Sequence, residues 1–360
     1  MADQKLSELT NLTDTPSNTD ELYIVNSGTS QAITYEQLQS GFKSIPKNAV
    51  MNGNFDIWQR GSSFAGISAD TATADRWVGT PGDGATTVSR QAFTLGQTDV
   101  PGEPTFYLQF DQTTDTTSTV PTLDQRIEGV RTFAARDVVL SFWARLTSGS
   151  MVLTPVLVQD FGSSGSAEVP VNMTPTTATI TSSWVKYTFT ATLPSISGKT
   201  ISGADDHLRL EFQFELAAGL FTFNISQVQL ELGAVSTLFE KFTEADELRK
   251  CQRYFAKTFP ISTTPAQNAG FTGSLRTTAA NDGNIGERWQ FPVPMRSTPT
   301  ITTYNPGAAD SNWGFEFGGT DQPSAVENTS DQSTFVSISS LIAGNANRDA
   351  SIHVTADAEI

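Results

Sequence analysis

The chain of 360 residues carries one cysteine, Cys251, and two histidines, His207 and His353. A lone thiol excludes an internal disulfide framework, and no cluster of Cys with His offers a zinc site. A nucleophilic triad needs a base. His207 opens a strand after Asp205-Asp206 and His353 sits in a terminal strand, with no Gly-x-Ser-x-Gly elbow to serve either. Gly198-Lys199-Thr200 imitates the end of a phosphate-binding loop, but Leu193 stands where its first glycine belongs. No apolar run approaches the roughly 20 residues of a membrane-spanning helix. Met1 to Leu12 lacks the basic and apolar regions of a signal peptide, so neither membrane insertion nor signal-directed export is expected. No regular repeat is visible, which speaks against a long β-helix. Charge is scarce, with 17% Asp, Glu, Lys and Arg, and its balance is one-sided at −16. Scattered carboxylates repel phosphate backbones, which excludes nucleic acid as a partner.

The polar surface falls instead to Thr, Ser, Asn and Gln, and β-branched Thr fits a pleated surface. At this length two or three packed units are expected. Residues 1–47 form a small α/β segment. Leu6, Leu9 and Leu12 share one short helical face, Glu21 to Val25 reads as a strand, Asn26 to Thr29 as a turn, and Gln31 to Thr34 as the return strand of a hairpin. Thr34 then caps a helix through Gln37, with Leu38 and Phe42 as its apolar edge. So small a core rarely holds alone, which marks 1–47 as an attachment segment, with Leu6, Leu9, Leu12, Tyr23, Val25 and Ile33 as its contact residues. Residues 48–242 alternate with period two between turn clusters, as in a β-sandwich. Leu208, Leu210, Phe212 and Phe214 face in against Arg209, Glu211, Gln213 and Glu215. Val185, Tyr187, Phe189 and Ala191 oppose Lys186, Thr188, Thr190 and Thr192 in the same way. Residues 243–257 read as a connecting helix, capped at Thr243, with Ala245, Leu248, Cys251 and Phe255 on one face. Residues 258–360 read as a smaller C-terminal sandwich with strands at Ile301–Tyr304, Phe335–Ile338 and Ser351–Val354. The expected class is therefore mainly β.

Asn52-Gly53-Asn54-Phe55-Asp56-Ile57-Trp58-Gln59-Arg60-Gly61 resembles the first strand of jelly-roll modules in phage fibre proteins and carbohydrate-binding modules. Thr73 to Trp77, Leu140 to Arg145, Ser183 to Tyr187 and Val228 to Gly233 follow in the order such modules show. Leu248 to Phe255, Phe291 to Tyr304, Lys5 to Leu9 and the hairpin ending at Tyr35 are similar to the flanking parts of phage fibre and minor structural proteins. The resemblance implies a tail-fibre subunit of a tailed-phage virion, assembled in the host cytoplasm as a homotrimer. It would be held to other virion proteins (tail, baseplate or head) through residues 1–47 and would adsorb to host-surface polysaccharide without catalysis. A polysaccharide-degrading tailspike and a purely architectural head-fibre or baseplate part stand as alternatives.

No cofactor is expected beyond the structural calcium such modules often carry, for which Asp56 and Glu231 are the candidate ligands by resemblance. Carboxylate pairs for glycoside cleavage exist on paper, Asp70 with Asp75 and Asp111 with Asp115, in polar loops that suit solvated carboxylates. Sugar rings stack on exposed aromatic rings. Trp313, in a polar Gly-rich loop with Phe315 and Phe317 nearby, is a candidate contact or equally a buried loop anchor. Trp58 and Trp77 adjoin Arg60 and Arg76 and read first as their stacking partners, with Trp77 kept as a further candidate contact. Trp143 and Trp184 read as core.

Overall fold

The computed structural model describes residues 21–26, 29–34, 48–114, 118–216, 219–278, 286–338, 345 and 348–360. The chain divides into two compact units, Met1–Lys47 and Asn48–Ile360. In the first, β1 (Glu21–Asn26) and β2 (Thr29–Thr34) form the expected antiparallel hairpin, with Glu21 opposite Thr34 and Tyr23 opposite Ala32. Leu6, Leu9 and Leu12 and the helix beginning at Thr34 lie outside the described residues.

The second unit opens with a jelly-roll sandwich. Its strands run β3 (Ser63–Ala65), β4 (Thr71–Ala72), β5 (Trp77–Thr80), β6 (Thr86–Ala92), β7 (Phe106–Gln112) and β8 (Thr122–Glu128). They continue with β9 (Asp137–Leu146), β10 (Met151–Asp160), β11 (Val169–Asn172), β12 (Ala178–Ile180), β13 (Val185–Thr192), β14 (His207–Phe214) and β15 (Phe221–Leu232). One sheet has the order β11-β10-β14-β8-β5-β4, with β12 also on β10, and the other β13-β9-β15-β7-β6-β3. From β8 onward the chain switches sheets at almost every long strand, the crossing pattern that wraps a jelly roll. The inward residues of β14 follow the predicted alternation: Leu208, Leu210, Phe212 and Phe214 meet Val138, Leu140, Phe142 and Ala144 of β9 in one core. Period-two alternation aims these side chains one way, and hiding them from water drives the two layers together.

Asn52 to Gly61 is not a strand. It is a tight irregular segment in which Asn52 and Phe55 adopt positive φ, 53° and 57°. The Asn52 side chain replaces a ladder partner: its Oδ1 accepts from Ile57 N, and its Nδ2 donates to Ile57 O and Asp75 O. Asparagine tolerates the left-handed region and supplies peptide-like donors and acceptors, which explains why an apolar run here does not extend.

Helix α1 (Glu244–Gln252) starts where Thr243 Oγ1 accepts from Asp246 N, as its capping signature predicts. Its buried residues are Glu247 and Cys251; Ala245 is exposed and Phe255 belongs to the following strand. The expected apolar stripe is displaced because Glu247 turns inward to accept a short hydrogen bond from Asn52 N.

After the helix come β16 (Phe255–Lys257), β17 (Leu275–Thr278), β18 (Gly286–Gln290), β19 (Thr300–Tyr304), β20 (Gly314–Phe315), β21 (Ser324–Glu327), β22 (Ser333–Ile338) and β23 (Asp349–Asp357). β23 pairs with β16, β17, β19 and β20, while β18-β22-β21 form a second sheet over a core of Trp289, Trp313, Val336, Ile352 and Val354. The two sandwiches meet through buried charge. Arg76 stacks 3.4 Å over Tyr254 and pairs with Glu359; Arg60 lies 3.9 Å over Phe255 and 3.1 Å from Asp357. The two arginines thus stack on rings of the connecting segment, not on Trp58 and Trp77 as their adjacency suggested.

Candidate functional site

Two of the predicted contact aromatics are core residues. Trp313 is fully buried, bridges Gln322 through its backbone, and donates Nε1–H to Ser337 O at 3.0 Å. Trp77 is fully buried too, 5.1 Å from Phe55 and 6.2 Å from Phe212, with Nε1–H on Asn52 O. Each indole NH finds a carbonyl inside, so a polar surrounding sequence did not mean an exposed ring. Phe315 packs partly against the C-terminal core, and Phe317, 79% exposed, projects from a turn whose carbonyls Arg348 holds. These four do not form a platform.

The other candidates are likewise dispersed. Asp75 is no solvated loop carboxylate: burial pushes its carboxyl up, and Gln59 N and Nε2 donate to it at 2.6 and 2.7 Å. Asp70 pairs with Arg126, and Asp115 lies outside the described residues. His353 is stacked 3.9 Å from Phe259, and His207 Nδ1 lies 2.8 Å from Asp205 O; burial holds both imidazoles below the usual range. Glu231 already accepts from Thr237 N, Thr237 Oγ1 and Gln229 Nε2. Asp56 lines a cavity of about 10 Å³ with Asn54, Glu240 and Glu247, and Glu231 is not among its walls. A calcium ion takes six to eight oxygens, and Asp56 and Glu231 do not supply them together.

A built surface appears instead on the outward face of the β13-β9-β15-β7-β6-β3 sheet. Because Leu140, Phe142 and Ala144 point inward, Trp143 and Arg145 of β9 must point out. By the same parity Thr222, Asn224 and Ser226 of β15 and Tyr107 and Gln109 of β7 share that face. Register places Arg145 opposite Asn224, and Asn224 opposite Gln109, so these three form one row across neighbouring strands.

Trp184 precedes the first residue of β13, at the sheet edge, yet its ring lies 5.4 Å from Tyr107 and 5.2 Å from Phe93. Phe93 and Tyr107 are 4.8 Å apart. In the strand order β13-β9-β15-β7 this contact crosses both β9 and β15, a span of roughly 14 Å at the spacing of paired strands. The three half-buried rings therefore arch over the row. Beneath them Asn224 and Ser226 are fully buried, although they face away from the core.

The floor is polar and incompletely satisfied. Gln109 Nε2 donates to Asn224 Oδ1 at 3.2 Å, and Arg145 lies 5.1 Å from the Trp184 ring. Asn224 Nδ2 and Arg145 Nε are buried without a hydrogen-bond acceptor. Farther along, Gln227 has a positive φ of 51°, a bulge where the β9–β15 register shifts, and its Nε2 donates to Pro101 O. The far end is closed by the 236–238 turn, which receives Lys186 Nζ on Ser236 Oγ and Thr237 O and Gln229 Nε2 on Leu238 O. Burial lowers the Lys186 ammonium from its ordinary range, with Glu231 opposing.

Trp143 and Trp184 are thus half-exposed residues of a surface, not core. Parity along β9 could have shown this for Trp143, since it alternates with three inward side chains. Nothing in sequence could bring Phe93, Tyr107 and Trp184 together, because they come from separate connections and strands.

No protein-family model and no curated protein sequence matches the chain. Among solved structures it is similar to the xylan-binding domain CBM22-1 of Paenibacillus barcinonensis Xyn10C, at 15% identity and TM-score 0.30, over 49% of this chain and 99% of that one. It is similar to the family 11 carbohydrate-binding module of Clostridium thermocellum, at 15% identity and TM-score 0.30, over 49% and 99%. It also resembles the enzymatically active domain of tailspike protein 4 of bacteriophage CBA120, at 13% identity and TM-score 0.31, over 52% of this chain and 21% of that one. Likeness at these scores carries no functional argument.

Proposed function

We propose that the chain is a non-enzymatic glycan-binding fibre subunit, with the arched face of its jelly roll as the contact surface. The observation that carries the glycan reading is the trio Phe93, Tyr107 and Trp184 standing over a polar row with unused donors. Pyranose rings offer apolar faces for stacking and hydroxyl oxygens for NH donors, and this face supplies both. Trp184 sits outside the β13 ladder, so its ring can move aside for a sugar without breaking a strand pair. The virion role, with residues 1–47 as the attachment segment, is supported by the resemblance of Lys5 to Leu9, the β1–β2 hairpin and Leu248 to Phe255 to phage fibre proteins. Homotrimer formation belongs to the same proposal, since association would cover the sandwich edges at β13 and β11.

The test is calorimetric titration of polysaccharide from candidate host surfaces into wild type and Trp184→Ala, with an assay for new reducing ends. Binding that Trp184→Ala weakens, without new reducing ends, is expected. Turnover would overturn the non-enzymatic part, and unchanged binding by Trp184→Ala would overturn the site. Particles that still retain a chain lacking residues 1–47 would contradict the attachment role.

A further inference from the structure

Resting on that glycan reading, we infer that the arched face selects an acidic saccharide, one whose carboxylate is received by Arg145 and Asn224. Among the described residues, several other buried or half-buried guanidinium groups have carboxylate partners, whereas Arg90 lies over the Phe106 ring. Arg76 has Glu359, Arg60 has Asp357, Arg209 has Glu168 and Glu211, and Arg126 has Asp70. Arg145 has neither ion pair nor hydrogen bond among the described residues; only the Trp184 ring holds it. Its Nε is buried without an acceptor, and directly across the strand pair Asn224 Nδ2 is in the same condition.

Two adjacent buried donors with no acceptor are costly, and one of them belongs to a cation. The same bulky ring that covers them excludes water, which strengthens whatever anion reaches them. A carboxylate has two acceptor oxygens and matches a guanidinium paired with an amide NH. A neutral hydroxyl would satisfy one donor and leave the positive charge unmatched.

The face also sets a direction. Asp111, two residues along β7 from Gln109, presents its carboxylate on the same side, where Thr222 Oγ1 donates to it at 2.7 Å. That end repels a second anion and accepts from sugar hydroxyls. The acidic group of the ligand therefore lies under Trp184, with its neutral portion toward Asp111. At a net charge of −16, the chain as a whole repels polyanions, so the selectivity is local and comes from the fixed guanidinium.

A glycan array bearing neutral, uronate-containing and sialylated oligosaccharides, probed with the full chain, decides this. Acidic glycans are expected to dominate the bound set, with an advantage of about ten- to a hundredfold over carboxyl-reduced counterparts. Arg145→Met, checked for an unchanged melting temperature, is expected to erase that advantage. Asn224→Asp, which turns the unused donor into a carboxylate, is expected to do the same. Preference for neutral glycans, or an acidic preference that survives Arg145→Met, overturns the inference and leaves glycan binding standing. Absence of all glycan binding overturns both.

Discussion

Two tryptophans, Trp77 and Trp184, respond oppositely if core and surface are assigned correctly. Trp77 is fully buried between Phe55 and Phe212, so Trp77→Ala removes a large buried ring and leaves a cavity that the surrounding sheets cannot close. Such truncations cost about 3–5 kcal/mol. Trp184 is half-buried and loses two ring contacts and one cation–π contact, which at a solvent-accessible site lie at the low end of their range, about 1.5 kcal/mol together. With a urea dependence of about 3 kcal/mol per molar, Trp77→Ala lowers the unfolding midpoint by about 1 M or more and Trp184→Ala by about 0.5 M or less. Binding reverses the order. Stacking one sugar ring hides about 40–80 Å² of indole, worth about 1–2 kcal/mol, so Trp184→Ala weakens the glycan complex about five- to thirtyfold. Circular dichroism in urea reads the first quantity and titration calorimetry the second. A Trp184→Ala protein that unfolds as early as Trp77→Ala, or that binds as tightly as wild type, refutes the assignment of the face.

Four further outcomes follow from particular residues. Burial pushes the Asp124 carboxyl up to about 7 in the folded chain, while the unfolded chain releases its proton near 4. Between those values the native state binds more protons, so stability falls as pH rises; Asp124→Asn is expected to be at least about 1 kcal/mol more stable than wild type at pH 8 and no more stable at pH 4, by urea titration. Gly53→Ala would set a Cβ 2.1 Å from Val228 O, so it destabilises by more than about 2 kcal/mol, read as a lowered melting temperature. Arg76→Met leaves Glu359 with Arg60 alone and removes the stack on Tyr254, and calorimetry should show a loss of about 2 kcal/mol or more or a split transition. Removing residues 1–47 should leave the melting of 48–360 unchanged within about 2 °C, since the two form separate compact units.

Much of the fold was legible because alternation states directly which side chains point in. β14 shows this: its four apolar residues all enter the core, and Arg209, Glu211 and Gln213 stay on the outward side. The segment Asn52 to Gly61 misled for a physical reason. Its aromatic and aliphatic residues are as buried as those of a strand, but Asn52 satisfies their backbone with its own amide, an event that depends on one side chain rather than on periodicity. α1 misled similarly, because a single hydrogen bond from Asn52 draws Glu247 into the interior in place of an apolar residue.

The site was less legible, and Trp313 shows why. Its neighbours Asp310, Ser311 and Asn312 are polar, which suggests an exposed loop, yet their polarity is spent inside the loop: Asp310 Oδ1 accepts from Asn305 Nδ2 and Asn312 N. Such a loop can bury a ring, since its own backbone is satisfied without water. Trp184 is the reverse case. Its neighbours Val185 and Tyr187 are apolar and belong to a strand, but Trp184 stands one residue before the ladder begins and is free to turn across the sheet. Composition around these aromatic residues therefore did not predict their exposure; for Trp313 the satisfied loop decided it and for Trp184 its place one residue before the ladder. Exposure of Trp143 was recoverable from alternation within β9. The arch itself needed the order of four strands, which only the folded chain supplies.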